Sequence, residues 1–318
     1  MKKGKKRRLR HQIYRTPVGQ LPHIPPGEIL MEHFTDAELK AWQNRGAEYQ
    51  SYHYLWYFEL EAQRAARQEE LLDALRKTPA IDVELTAGWG RALQYVYSHT
   101  PLSCIGSLKW VGGRFNYGND IDSTRFPPFP ALYLAENIET GIREMFGLTS
   151  QDMRSGLTAL ELGLCSEDGL AWVSVAGSVN NIFDLTTPSN LKAFTDVIAS
   201  FQLSARVRRL ERLMGLAPMK VITDSAQLHT TFMAEEWRQY PVMWNTPANP
   251  QLIGHLLTQA GFEGVLYSST RTNKRNLALF TRQFRNSSSV VSVKNPPPTA
   301  TCCELSATTF EDLEPKPP

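Results

Sequence analysis

Cysteine is scarce, with Cys104, Cys165 and the adjacent pair Cys302 and Cys303 the only four in 318 residues. That set matches neither a disulfide framework nor paired CxxC zinc spacing, so a reducing, cytoplasmic setting is expected. The seven histidines are scattered, with no HExxH or HxxxH pair. A histidine-built metal centre is therefore not expected, and the reading is no metal and no resident cofactor. Long hydrophobic runs are also missing: the stretches at 170–173 and 265–267 fall far short of the roughly 20 residues that span a bilayer. The basic start is followed by Gln12, Arg15, Gln20 and the prolines of LPHIPPGE rather than by an apolar stretch, which argues against an export signal. There is no GxxxxGK[ST], no GxSxG and no GxGxxG placed after a strand. Standard P-loop, hydrolase-elbow and dinucleotide-fold enzymes are thereby disfavoured.

What is present is material for a core, at 42% hydrophobic residues, in a chain long enough for one domain with additions or for two. The net charge of +2 hides a lopsided distribution, because Lys2, Lys3, Lys5, Lys6, Arg7, Arg8 and Arg10 precede an otherwise acidic chain. Residues 1–27 read as a solvated, disordered basic arm. Nucleic-acid binding is not expected of it, since no aromatic residue for base stacking precedes Tyr14.

Residues 28–90 read as a helical extension, with Ile29, Leu30, His33, Phe34, Leu39 and Trp42 and then Tyr54, Leu55, Phe58 and Leu60 at helical spacing. The aromatic run from Tyr49 to Phe58 is taken as packing. A further helix is expected at 82–99, a strand at 129–135, and a helix capped by Asn137 and carried by Ile138, Ile142 and Met145. Short strands are expected at 157–164, 171–177 and 180–186, then a helix near 191–201 and another at 250–260 ended by Gly261. The strands at 263–269 and 276–281, joined by RTNKR, should form a hairpin. Residues 284–318, with NSSS, NPPP and EPKPP, read as a disordered tail. The class is mixed α+β.

Three segments, GGRFN at 112–116, ALYLAENIETGIREM at 131–145, and GVLYSSTR followed by NLALF at 264–280, occur in the order and spacing of a known family. Residues 91–283 resemble the RES domain, named for its arginine, glutamate and serine. The resemblance implies an ADP-ribosyltransferase-like split β-sheet core and an enzyme that degrades NAD by phosphorolysis or hydrolysis. It further implies a toxin with a protein antitoxin as partner, NAD as substrate and phosphate as co-substrate where phosphorolysis operates. A protein ADP-ribosyltransferase is the alternative within the same pocket. By the family pattern, Arg114 is the arginine, Tyr133 the tyrosine, Glu144 the glutamate and Ser269 the serine, with Ser268 standing where the family often has proline.

The chemistry of these residue types agrees. Cleaving the nicotinamide–ribose bond passes through an oxocarbenium-like ribose, which the carboxylate of Glu144 would stabilise. Nicotinamide leaves as an already activated pyridinium, so no strong general acid is needed. Arg114 beside two glycines suits a pyrophosphate, and Tyr133 could stack on a ring. Asn116, Tyr117 and Arg271 are read as further NAD contacts, with Arg91, Ser103 and Ser107 behind them. Gly141, one turn before Glu144, is read as leaving room for a ligand. Taken singly, each residue has an ordinary reading: a surface turn arginine, a core aromatic, a hairpin hydroxyl, a solvated helix charge. Glu139 is assigned to such a surface pair with Arg143. A third class, a non-enzymatic protein binding nucleic acid or a partner through the arm and aromatic helices, also stays open.

Overall fold

The computed structural model describes residues 36–146 and 169–314. The chain divides into two compact units, residues 1–61 with 203–220 and residues 62–202 with 221–318. The basic arm, the start of the helical extension and the strand expected at 157–164 lie outside the described residues.

The first unit takes in most of helix α1 (Asp36–Ala66) and helix α5 (Ala205–Met214). Its centre is a buried carboxylate. Glu211, 1% exposed, accepts from Tyr52 Oη at 3.1 Å, from the Met219 amide at 2.9 Å and from Arg208 Nη1 at 3.1 Å. Those donors offset its loss of hydration. Tyr52, His53 and Tyr57 are buried, and His53 sits edge-on to Trp56 at 4.9 Å. The aromatic run is packing, as its helical spacing suggested.

The second unit is built on a mixed eight-stranded sheet with helices beside it. Helix α2 (Gln68–Arg76) turns its Leu71, Leu72 and Leu75 inward. The helix expected at 82–99 is instead strand β1 (Ile81–Leu85), a turn, strand β2 (Gly90–Gln94) and a short 3-10 turn. In IDVEL the residues that alternate inward, Val83 and Leu85, are buried against β4, and Gly88 at φ 109° makes the turn. Sheet pairing overrides whatever helical preference the local residues have. The helical extension therefore stops at α2 rather than at residue 90.

Strand β3 (Leu132–Ala135) leads into helix α3 (Ile138–Phe146). The two strands expected at 171–177 and 180–186 are one strand, β4 (Leu170–Asp184), with a bulge where Asn181 takes φ 52°. Helices α4 (Lys192–Ile198), α6 (Ser225–Phe232), α7 (Gln239–Trp244) and α8 (Asn249–Ala260) follow, α8 closing on Gly261 in the left-handed region. Strands β5 (Gly264–Ser268) and β6 (Arg275–Leu279) form the expected antiparallel hairpin.

The described residues from 285 to 314 correct the expectation of a disordered tail. Strand β7 (Val290–Val293) pairs with β4, and β8 (Glu304–Leu305) pairs with β7. Val291, Leu305 and Leu313 are fully buried in the main core. The polar, proline-rich stretches are loops between apolar anchors, and composition averaged over the segment hides those anchors.

The pairing runs β2–β3–β6–β5–β4 and returns from β4 to β2, with β4–β5 the parallel pair. Alternation along the strands separates two faces. Leu132, Leu134, Leu266, Leu277 and Leu279 join the core, which turns Tyr133, Tyr267 and Asn276 to the opposite face. Among the described residues, no helix is long and apolar enough to cross a membrane.

Candidate active site

That opposite face forms a wall of a cavity of about 430 Å³. Strands β2, β3, β5 and β6, helix α3, the loop carrying GGRFN and a short 3-10 segment, Glu235–Arg238, contribute its walls.

Glu144 stands at the cavity with its carboxylate oriented by two side chains. Ser269 Oγ donates to Oε1 at 2.5 Å, and Asn276 Nδ2 donates to the same oxygen at 3.2 Å. The direction of the serine bond is dictated by its own surroundings. Ser269 Oγ already accepts from the backbone N–H groups of Arg271 at 3.0 Å and Thr272 at 3.3 Å, so its single hydrogen is left for the carboxylate. Among the described residues, no protein donor is bonded to the second oxygen, Oε2. Glu139, exposed on the same helix, pairs at 2.9 Å with the largely buried Arg143 side chain, the i, i+4 pair expected.

Arg114 reaches the cavity from the GGRFN loop. Its Nη1 donates to the carbonyls of Phe232 at 3.0 Å and Ala234 at 2.9 Å, and its guanidinium lies 5.8 Å from the Trp237 ring centre. Burial lowers its pKa from the ordinary arginine value, while Tyr267, Glu144 and Tyr133 act in the opposite sense. The loop itself depends on glycine. Gly112 has φ 88°, and a Cβ there would lie 2.5 Å from the Gly118 nitrogen; at Gly113 a Cβ would run into the Tyr133 hydroxyl.

Tyr133 lines the cavity, but its hydroxyl is committed. It accepts from the Phe115 amide at 2.9 Å and donates to Asn116 Oδ1 at 2.9 Å. Burial raises its pKa above the ordinary tyrosine value, so it stays a neutral brace between β3 and the loop.

Two expected NAD contacts are corrected. Asn116, fully buried, gives Nδ2 to the carbonyls of Ser107, Tyr117 and Phe129 and Oδ1 to Gly113 and Tyr133. It has no capacity left for a ligand and shapes the loop instead. Tyr117, 2% exposed, packs against Phe126, Phe129 and His255, away from the cavity lining. Gly141 lines the cavity, and a Cβ there would lie 2.6 Å from Trp172 Cζ3, so its missing side chain also makes room for that indole.

Arg271 and Arg91 do line the cavity. Arg271 Nη1 meets Glu235 Oε2 at 3.0 Å. Arg91 Nη1 donates to the carbonyls of Pro101 at 2.9 Å and Ser103 at 2.8 Å, and burial lowers its pKa. Ser107 lines the wall with its hydroxyl used by Cys104 O and the Ala131 amide. Ser103 meets the site through its carbonyl to Arg91, and its side chain is not part of the lining.

Sequence reasoning missed Asn276, Tyr267, Trp237, Arg238 and Glu235. Asn276 carried a readable signal, an amide buried at the head of an apolar strand. The segment Glu235–Arg238 carried none, because it joins helices that share no periodic pattern. Among the described residues, no group of three or more His, Cys, Asp or Glu is placed to hold a metal ion.

The cavity thus combines a braced carboxylate, Glu144, with the guanidinium groups of Arg91, Arg114, Arg238 and Arg271 and several aromatic rings. Such a set suits an anionic ligand whose reacting carbon develops positive charge. The family model of the RES domain matches residues 88–300. No curated protein matches the chain. The solved M. tuberculosis MbcT–MbcA toxin–antitoxin complex contains a chain similar at 17% identity and a TM-score of 0.41, over 77% of this chain and 97% of that one.

Proposed function

The chain belongs to the RES-domain family, and we propose that it is an enzyme that cleaves the nicotinamide–ribose bond of NAD. The observation that carries this reading is the bracing of Glu144 by Ser269 and Asn276 at one oxygen only. The other oxygen is left to accept from a ribose hydroxyl, and the charge sits beside the carbon that becomes oxocarbenium-like. Nicotinamide departs as a neutral leaving group, so Glu144 need not move a proton to it. The arginines would take the pyrophosphate, Arg114 in a fixed position because carbonyls hold it. The aromatic rings of Tyr133 and Trp237 offer faces for a planar base.

Phosphate, water or a protein side chain could each attack the ribose carbon. A phosphorylase or glycohydrolase is the reading we favour, and protein ADP-ribosylation uses the same arrangement with a different acceptor. An ADP-ribosyltransferase-like split sheet belongs to the same proposal, supported by the way β4 pairs with β2 near its start and with β5 at its end. A toxin role, with a protein antitoxin as partner, follows from the family resemblance and is proposed on that ground.

The test is incubation of purified, folded protein with NAD, with and without phosphate. Free nicotinamide should appear, with ADP-ribose 1″-phosphate in the phosphate tube if phosphorolysis operates and ADP-ribose if hydrolysis does. No nicotinamide in either tube would overturn the proposal.

A further inference from the structure

The four arginines of the cavity wall are held in different ways. Arg91 and Arg114 are held by backbone carbonyls, and Arg238 lies 5.2 Å from the Trp237 ring centre. Among these four, Arg271 alone is ion-paired to a carboxylate, Glu235. The other cavity carboxylate, Glu144, is satisfied by neutral donors. Glu235 therefore occupies an anion position that its partner arginine would otherwise offer to a ligand.

The two partners are not equivalent. The Arg271 side chain is 17% exposed and that of Glu235 is 47% exposed. If an anion displaces the carboxylate from Arg271, Glu235 turns into water and regains its hydration. Arg271 exchanges one anionic partner for another and is never left buried without one. The pair also joins the turn after β5 to the 3-10 segment before α7, both at the cavity wall.

We propose that Glu235 is a placeholder for an anionic group of the diphosphate class, holding Arg271 in position until that group takes its place. The identity of the diphosphate as that of NAD rests on the function proposed above; the exchange at Arg271 does not. A neutral nucleoside or free nicotinamide cannot replace a carboxylate at a guanidinium, whereas a diphosphate oxygen can do so with the same charge-assisted geometry. Glu235 is thus a competitor that sets how tightly the site takes an anion, rather than a catalytic residue.

The experiment is calorimetric titration of wild type, Glu235→Gln, Arg271→Gln and the double variant with ADP-ribose, with inorganic pyrophosphate and with nicotinamide at fixed low salt. Removing the competing charge should tighten both anions by about two- to fivefold, the scale of a partly exposed ion pair. The gain should vanish in the Arg271→Gln background, and nicotinamide should respond equally in all four proteins. Unchanged or weaker anion binding by Glu235→Gln would overturn the proposal, as would a gain that persists without Arg271. If pyrophosphate shows the gain but ADP-ribose binds no variant, the placeholder stands and the NAD reading falls. If neither anion binds any variant, both fall.

Discussion

Glu144 and Glu139 lie on one helix and face different fates, and the contrast makes the clearest residue-level test. Glu144→Gln keeps volume and helix propensity while removing the charge. The loss of one transition-state electrostatic partner should lower kcat by about 10² to 10³, or about 3 to 4 kcal/mol. Thermal stability should hardly change. Glu139→Gln removes an i, i+4 pair with Arg143 outside the cavity lining, of a kind worth about 0.2 to 0.5 kcal/mol, and should leave nicotinamide release intact. Equal activity of the two variants would remove Glu144 from the mechanism. Gly113→Ala tests the loop beside it, since a Cβ there meets Asn116 Oδ1 at 2.7 Å and the Tyr133 hydroxyl closer still. Overpacking of that kind should cost about 1 to 3 kcal/mol in urea unfolding and should displace Arg114. Wild-type stability in this variant would show that the loop yields freely.

At the scale of elements, the C-terminal segment around β7 and β8 is part of the architecture that holds the site. The Leu102 amide donates to Cys302 O at 3.1 Å and the Cys104 amide to Leu313 O at 2.8 Å. These bonds fix the loop whose Pro101 and Ser103 carbonyls hold Arg91. Leu313→Ala, at a fully buried side chain, should destabilise by about 2 to 5 kcal/mol. Pro296→Ala, in the exposed loop between β7 and β8, should stay within about 0.5 kcal/mol. Chemical unfolding of the two variants distinguishes an integral segment from an appended tail, and equal midpoints would favour the tail.

For the whole molecule, acid should act through histidines buried in neutral form. Burial lowers the pKa of His255 from 6.5 to about 4, with the charge of Arg64 acting the same way. Burial alone does the same to His53, also to about 4. In the unfolded chain each binds a proton below pH 6.5, while the folded protein resists until about pH 4. Stability from these groups is therefore complete above pH 6.5 and is lost as pH falls towards 4. His255→Gln should flatten that part of the profile, read as urea midpoints across the window. An unchanged slope would assign the acid sensitivity elsewhere.

The sequence by itself determined what local order can carry: the strand–helix unit that presents Tyr133 and Glu144, the β5–β6 hairpin, the helix stopped by Gly261 and the family motifs. These depend on neighbours in the chain, on alternation, capping and turn residues, so they are legible one segment at a time. Only the tertiary structure decided the rest. The pairing of β1 and β2 with β4 turned an expected helix into strands, and β4 likewise recruited β7 from a segment whose composition reads as a tail. Asn116 was drawn away from ligand binding by five hydrogen bonds to backbone and side chains from 1 to 17 residues away, which meet only when the loop folds back on itself. Glu235 and Arg238 entered the cavity from a connection with no pattern of its own. The physical reason is common to all of these: the energy of a strand edge or a buried amide is set by its partner, and which partner it meets is decided by the folded chain, for the strands at separations of about a hundred residues.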